Sequence, residues 1–272
     1  MGDSVITIGL DPNIHLGPLT LAWHGIFTAV GIFFGVWLPV RLLHDRVPED
    51  RIYHVATWGV VAGIIGARLF HVIDRWDFYA THPELIPAIW TGGIAVWGSV
   101  FGGLLGGFIA ARRVGFPIGG GADAAAPGIA LGFAIGRIGD IINGEHHSIA
   151  CSGLPWCVGY SFPAEDGGLG QIGPVHPAVA YELIYDAALV GLSLLLRRFF
   201  AGRVPEGRIF WIWTILYGFG RFLISFLRID DPAPLLNLRQ DQIIGLIAMI
   251  AGVVMLAYIS SRSRATRVRL PA

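Results

Sequence analysis

The sequence predicts an all-α, polytopic membrane protein with about seven transmembrane helices, its N-terminus outside and its C-terminus in the cytoplasm. Three observations carry this reading. Several apolar runs are long enough to cross a bilayer, which takes about 20 helical residues. Of 272 residues, 54% are hydrophobic and only 14% are charged, with a mean hydropathy of +0.63, where a soluble domain carries roughly a quarter charged residues. The arginines, finally, gather in alternate connections between the apolar runs, as cytoplasmic segments do.

Hydropathy puts the spans near residues 19–40, 52–73, 93–111, 122–142, 177–196, 209–227 and 242–260. Each should be a helix, because backbone groups in a bilayer must pair within their own segment. The fourth is the least apolar, holding Pro127, Arg137, Asp140 and several glycines. Arginine bookkeeping retains it. Arg41, Arg46 and Arg51, then Arg112 and Arg113, then Arg197, Arg198, Arg203 and Arg208, and finally Arg262, Arg264, Arg267 and Arg269 share one side only if the spans number seven. The opposite side holds Arg75 and Arg239, with Arg228 at a span end. The longest outer connection, 143–176, contains no arginine. No internal repeat or linker divides residues 1–272, which read as one membrane domain.

Other features bound the function. Net charge is zero, which gives no field for nucleic acid. Cys151 and Cys157 are the only cysteines; they form a small disulfide or stay free, and are too few for a sulfur-only zinc site. The first 18 residues lack a basic start, so the first apolar run reads as a retained span rather than a cleaved signal.

Charges inside spans are the main chemical signal, because an arginine near the bilayer centre costs about 2.5–3.5 kcal/mol on insertion scales. Arg68, Arg137 and Arg221 each interrupt an apolar run, and Arg228, Asp140, Glu145 and Glu182 lie at or near the outer ends. They either converge on a polar site or tie the bundle together by internal salt bridges, for instance Arg68 with Glu182. The densest stretch is Gly136-Arg137-Ile138-Gly139-Asp140-Ile141-Ile142-Asn143-Gly144-Glu145. Helical spacing puts Arg137, Asp140 and Asn143 on one face, and the two glycines flanking the arginine allow close approach.

That stretch resembles the GRIGNFINGE signature of the prolipoprotein diacylglyceryl transferases. The resemblance extends along nearly the whole chain. His176-Pro177-Ala178-Val179-Ala180-Tyr181-Glu182 is similar to the family's HPxQLYE. Tyr217-Gly218-Phe219-Gly220-Arg221-Phe222, with Arg228 after it, is similar to YGxxRFxxExxR. Gly66-Ala67-Arg68-Leu69 resembles GxRL, Leu21-Ala22-Trp23-His24-Gly25 resembles HWYG, and Gln242 stands at the family's Gln.

The resemblance implies transfer of the diacylglyceryl group of phosphatidylglycerol to the lipobox cysteine of a prolipoprotein, in the bacterial inner membrane, with an active site toward the outer leaflet and no cofactor or metal. By position it implies that Arg137 and Arg221 hold the phosphate and that Asn143, Glu145, Asp140 and Tyr217 line the headgroup side. Arg68, Tyr181, Glu182, His176, Arg228, Gln242 and Trp97 support them. Four positions depart from the family pattern. Trp97 stands where many members carry the histidine proposed as base, His24 replaces a Tyr, Asp140 replaces an Asn, and Ser225 replaces a Glu. His24 becomes the candidate base, in competition with His146 and His147. The departures also admit a divergent paralogue with another acceptor or no activity. Intramembrane arginines alone would suit an anionic-solute transporter or a purely structural scaffold. Trp156, Tyr160 and Phe162 of the outer loop are candidates to receive the lipobox peptide, or form an interfacial aromatic belt.

Overall fold

A computed structural model describes residues 5–17, 19–89, 93, 95–144, 146–161, 173–200, 205–229 and 236–268. Long helices dominate: α1 (Trp23–Leu43), α2 (Glu49–Asp74), the single turn α3 (Trp76–Tyr79), α4 (Val96–Arg113), α5 (Ile118–Asn143), α6 (Ala178–Phe200), α7 (Arg208–Ile224) and α8 (Gln240–Val268). Each expected span overlaps one of these. Six helices, α1, α2, α5, α6, α7 and α8, are long and apolar enough to cross a membrane. The glycine-rich α4, 18 residues ending in Arg112 and Arg113, falls outside that set. The weakly apolar fourth run becomes the unbroken 26-residue α5.

One boundary is corrected. Residues 19–22, expected to open the first span, form strand β3 (Leu19–Ala22), which pairs antiparallel with β2 (Asn13–Leu16). The helix starts only at Trp23. Strand β1 (Ile6–Ile8) runs parallel to β4 (Val158–Tyr160) in the long connection between α5 and α6. Further backbone bridges join Val158 and Ala150 to Val175, and Ser148 to Arg228. The Cys151–Cys157 disulfide forms within this small cap, with both cysteines buried. Apolar alternation as short as β1 carries no sequence signal by itself.

The chain divides into two compact units, Val40–Gly121 and the rest. Within Val40–Gly121, α2 and α4 meet through small residues. A methyl at Gly63 would stand 3.2 Å from Ser99 O, the close backbone approach that holds helices together where lipid gives no hydrophobic drive. Buried Arg68 donates to the carbonyls of Leu85 (2.6 Å), Ile86 (2.7 Å) and Gly93 (2.8 Å), clamping the connection between α3 and α4.

In the other unit α1 packs on α5 at Gly31 and Gly35 against Gly132 and Gly128, and α7 on α8 at Gly218 and Gly245. Ala126, Ala130, Leu189 and Trp213 form its apolar core. Buried Asp123 of α5 accepts the backbone N–H of Gly207 (2.8 Å) and Phe210 (2.9 Å), capping α7 from a neighbouring helix. Large apolar side chains such as Phe33, Ile184 and Ile250 remain exposed along the helices, as a lipid-facing surface requires.

Candidate active site

In this second unit the start of α1, the end of α5, the start of α6, the end of α7 and the start of α8 contribute one polar cluster. Arg137 and Asp140 come from the last two turns of α5, Glu182 from the first turns of α6, Arg221 from the end of α7, and Asp241 from the first turn of α8. Arg228 follows a 3₁₀ turn after α7, and His24 is the second residue of α1. Asp241 in the first turn of α8 and Arg221 in the last turn of α7 suit the helix dipoles, whereas Asp140 near the C-terminus of α5 opposes its dipole and is held by its partners instead.

Glu182, 3% exposed, is the hub. Arg137 Nη2 lies 2.8 Å from its Oε2, Arg221 Nη1 bonds its Oε1, and Arg228 Nη1 lies 3.5 Å from the same Oε1. Arg221 Nη2 bonds Asp241 Oδ2, and Arg137 Nη1 donates to Asp140 Oδ2 at 2.8 Å. Asp140 also meets two histidines. His24 Nδ1 is 2.5 Å from its Oδ1, and His146 Nε2 is 3.7 Å from its Oδ2. His146 Nδ1 in turn accepts from Arg228 Nη2 at 3.1 Å. Three guanidiniums, three carboxylates and two imidazoles thus form a continuous network among the described residues.

Close backbone approach creates the His24 contact. A Cβ at Gly139 would stand 2.7 Å from His24 Cα and 3.1 Å from Trp23 O, so only glycine lets α1 begin against α5 at this level. A Cβ at Gly136, the other glycine beside Arg137, would meet no other element within 4 Å among the described residues. Gly144 ends α5 at φ +69°, and its N–H returns to Asp140 O at 3.1 Å, the left-handed helix stop that glycine favours. Its position against the Tyr160 ring leaves no room for a side chain.

The other candidates separate into groups. Asn143 is buried at the end of α5. Tyr217 lies one turn from Arg221, its ring between Phe133 and Trp213, with centroids 5.3 Å away on either side. Gln242 is buried, and its Oε1 accepts Arg239 N at 2.9 Å at the start of α8. Trp156 Nε1 donates to Tyr181 Oη at 2.9 Å, and His176 Nδ1 lies 3.4 Å from the same oxygen. A small cleft beside these residues is lined by Ile8, Ile141, His146, Tyr160, His176 and Val179. Burial pushes the Tyr160 hydroxyl up to about 12. Arg68 makes the carbonyl clamp described above, and it and Trp97 both belong to the Val40–Gly121 unit. Glu145 and Phe162 lie outside the described residues. Ser225 is buried, its hydroxyl without a hydrogen-bond partner among the described residues.

Two acidic residues escaped sequence reasoning. Asp241 reads as an ordinary acidic first turn of an apolar helix, yet it anchors Arg221. Asp186 is 3% exposed, one turn beyond Glu182 on the same face of α6. A carboxylate inside an apolar run was its available signal.

Residues 12–258 match the sequence profile of a family described as prolipoprotein diacylglyceryl transferase. A protein of Frankia alni named phosphatidylglycerol–prolipoprotein diacylglyceryl transferase is 36% identical over 247 residues, covering 89% of this chain and 64% of that protein. Proteins with the same name from Trichormus variabilis and Bacillus licheniformis are 35% and 34% identical. The first alignment covers 92% of this chain and 90% of its relative, the second 90% of each. The chain therefore spans just under two thirds of the Frankia protein and nine-tenths of the other two.

Proposed function

Because this chain belongs to the prolipoprotein diacylglyceryl transferase family, we propose that it transfers the diacylglyceryl group of phosphatidylglycerol to the lipobox cysteine thiol of a prolipoprotein and releases glycerol-1-phosphate. The observation that carries this reading is the convergence of Arg137 and Arg221 on one buried carboxylate, Glu182. The donor's headgroup is an anionic phosphodiester. When the glyceryl C–O bond breaks, its electron pair moves onto the departing phosphate, which gains a second negative charge. Two permanently charged guanidiniums suit both ground state and transition state, and suit the latter more. A guanidinium carries five N–H donors, so holding a carboxylate does not exhaust it. Glu182 and Asp241 fix the guanidinium planes in advance, which spares reorganisation at the moment of reaction.

Asn143, Tyr217 and Glu145 then belong to the headgroup side, and Arg228, Gln242, His176 and Tyr181 hold the surrounding framework. Arg68 and Trp97 support the Val40–Gly121 unit. The lipobox peptide meets the outer cap near Trp156 and Tyr160. The chain is a multi-pass membrane protein; we assign it to the bacterial inner membrane with seven spans and the cluster toward the outer leaflet. The arginine-rich connections support this orientation, and the Cys151–Cys157 disulfide supports a cap in an oxidising compartment.

The test is transfer from labelled phosphatidylglycerol to a lipobox peptide by purified protein. Arg137→Ala, folded as judged by thermal unfolding, should lose at least about 10²-fold, as removal of one such donor does elsewhere. A well-folded wild type that transfers nothing overturns the reading.

A further inference from the structure

The reaction requires a thiolate, and a thiol of pKa about 8.5 is only about 3% ionised at pH 7. We infer that His24 is the base that takes the thiol proton, on its Nε2, and that Asp140 is the positioning residue that holds the ring in the tautomer able to do so. This rests on the transferase reading above.

The geometry singles out His24 among the histidines of the site. Its Nδ1 faces Asp140 Oδ1 at 2.5 Å, while Arg137 donates to the other carboxylate oxygen at 2.8 Å. A carboxylate accepts on both oxygens, so the hydrogen of the His24 contact belongs to Nδ1, and Nε2 is the nitrogen that can gain a proton. The ring is 43% exposed at the start of α1, within reach of a substrate. His146 is held the opposite way. Arg228 can only donate, so it occupies the acceptor lone pair on His146 Nδ1. The Nε2 atom of His147 is buried without a hydrogen-bond partner among the described residues, so it is shielded from a substrate. His176 is engaged with Tyr181 Oη.

The charges around the pair are Arg137 and His146 on the other side of Asp140, and beyond them Glu182 and Arg228. When His24 becomes imidazolium, Asp140 balances it across one hydrogen bond. This is the arrangement by which a carboxylate orients and supports a histidine base.

The S–H proton moves to His24 Nε2, and sulfur attacks the glyceryl carbon bonded to the phosphate oxygen. A C–S bond forms, the C–O bond breaks, and its electron pair leaves with glycerol-1-phosphate. The imidazolium then returns its proton to the departing phosphate or to water.

Three measurements on the purified full chain in mixed micelles test the assignment. The rate of His24→Gln relative to wild type should fall about 30-fold at pH 7. The deficit should shrink to about 1.3-fold at pH 9, because about three quarters of the thiol then ionises unaided. A deficit constant from pH 6.5 to 9 means a structural role and overturns the proposal. Asp140→Asn should slow wild type by at least tenfold yet add little to His24→Gln, since it acts through the ring. Additive losses overturn the positioning role. Nitrogen-15 NMR of labelled histidines, with His24 assigned by the Gln variant, should show the neutral ring protonated on Nδ1. A ring protonated on Nε2 overturns the proposal even if wild type transfers no lipid, so this failure is distinguishable from failure of the transferase reading.

Discussion

Gly136 and Gly139 look alike in the sequence, one on each side of Arg137 and Ile138, yet the structure assigns them opposite sensitivities. An alanine at 139 would set its Cβ 2.7 Å from His24 Cα, 3.1 Å from Trp23 O and 3.2 Å from His24 N. Carbon atoms rest at about 3.5–4.0 Å, so the start of α1 must retreat by about 1 Å. The 2.5 Å contact between His24 and Asp140 would then open beyond hydrogen-bonding range. Overpacking of this kind costs about 1–3 kcal/mol, partly offset by the roughly 1 kcal/mol helix preference of Ala over Gly. Activity should suffer more than stability, because a 1 Å misplacement of a reacting group costs about 10²-fold. Gly136→Ala is the control. Its added methyl meets no other element within 4 Å among the described residues, so transfer should stay near wild type and stability should hold or rise by up to about 1 kcal/mol. The assay compares transfer rate and thermal unfolding of both variants in the same detergent. A Gly139→Ala protein with the wild-type rate, or a Gly136→Ala protein equally impaired, refutes the reasoning.

Two further predictions concern stability. Asp123→Ala removes the acceptor for the Gly207 and Phe210 N–H groups at the start of α7, and should destabilise by about 1–2 kcal/mol. Asp123→Asn should lose less, and the residual transfer rate should stay near wild type, because Asp123 lies about 20 Å along α5 from Arg137. Unfolding curves unchanged in both variants would dismiss the cap. Replacing Cys151 and Cys157 by serine opens a loop of sequence separation 6, which the loop-entropy relation values at about 2 kcal/mol. Proteolysis of the cap between α5 and α6 should quicken correspondingly; an identical cleavage rate with and without reductant would show that the bond does not hold the cap.

The amino-acid order by itself determined the membrane architecture, because bilayer thickness and the insolubility of unpaired backbone impose long apolar helices that any hydropathy reading finds. It also marked Arg137, Arg221, Arg228, Asp140 and Glu182 as out of place in lipid, for the same energetic reason. The strands were not legible: β1 and β4 are 3 residues each and exist only because distant segments meet. Partners were not legible either. Arg68, whose motif matches the family as clearly as that of Arg221, spends its guanidinium on backbone carbonyls of its own unit. Asp241, in no motif, anchors Arg221. His24 and Asp140 are 116 positions apart; as isolated departures neither pointed to the other, and only the approach of α1 to α5 over Gly139 makes them a pair. Burial cost depends on a residue's own chemistry and is readable locally, whereas who compensates that cost depends on which helix ends meet, and only tertiary structure decides that.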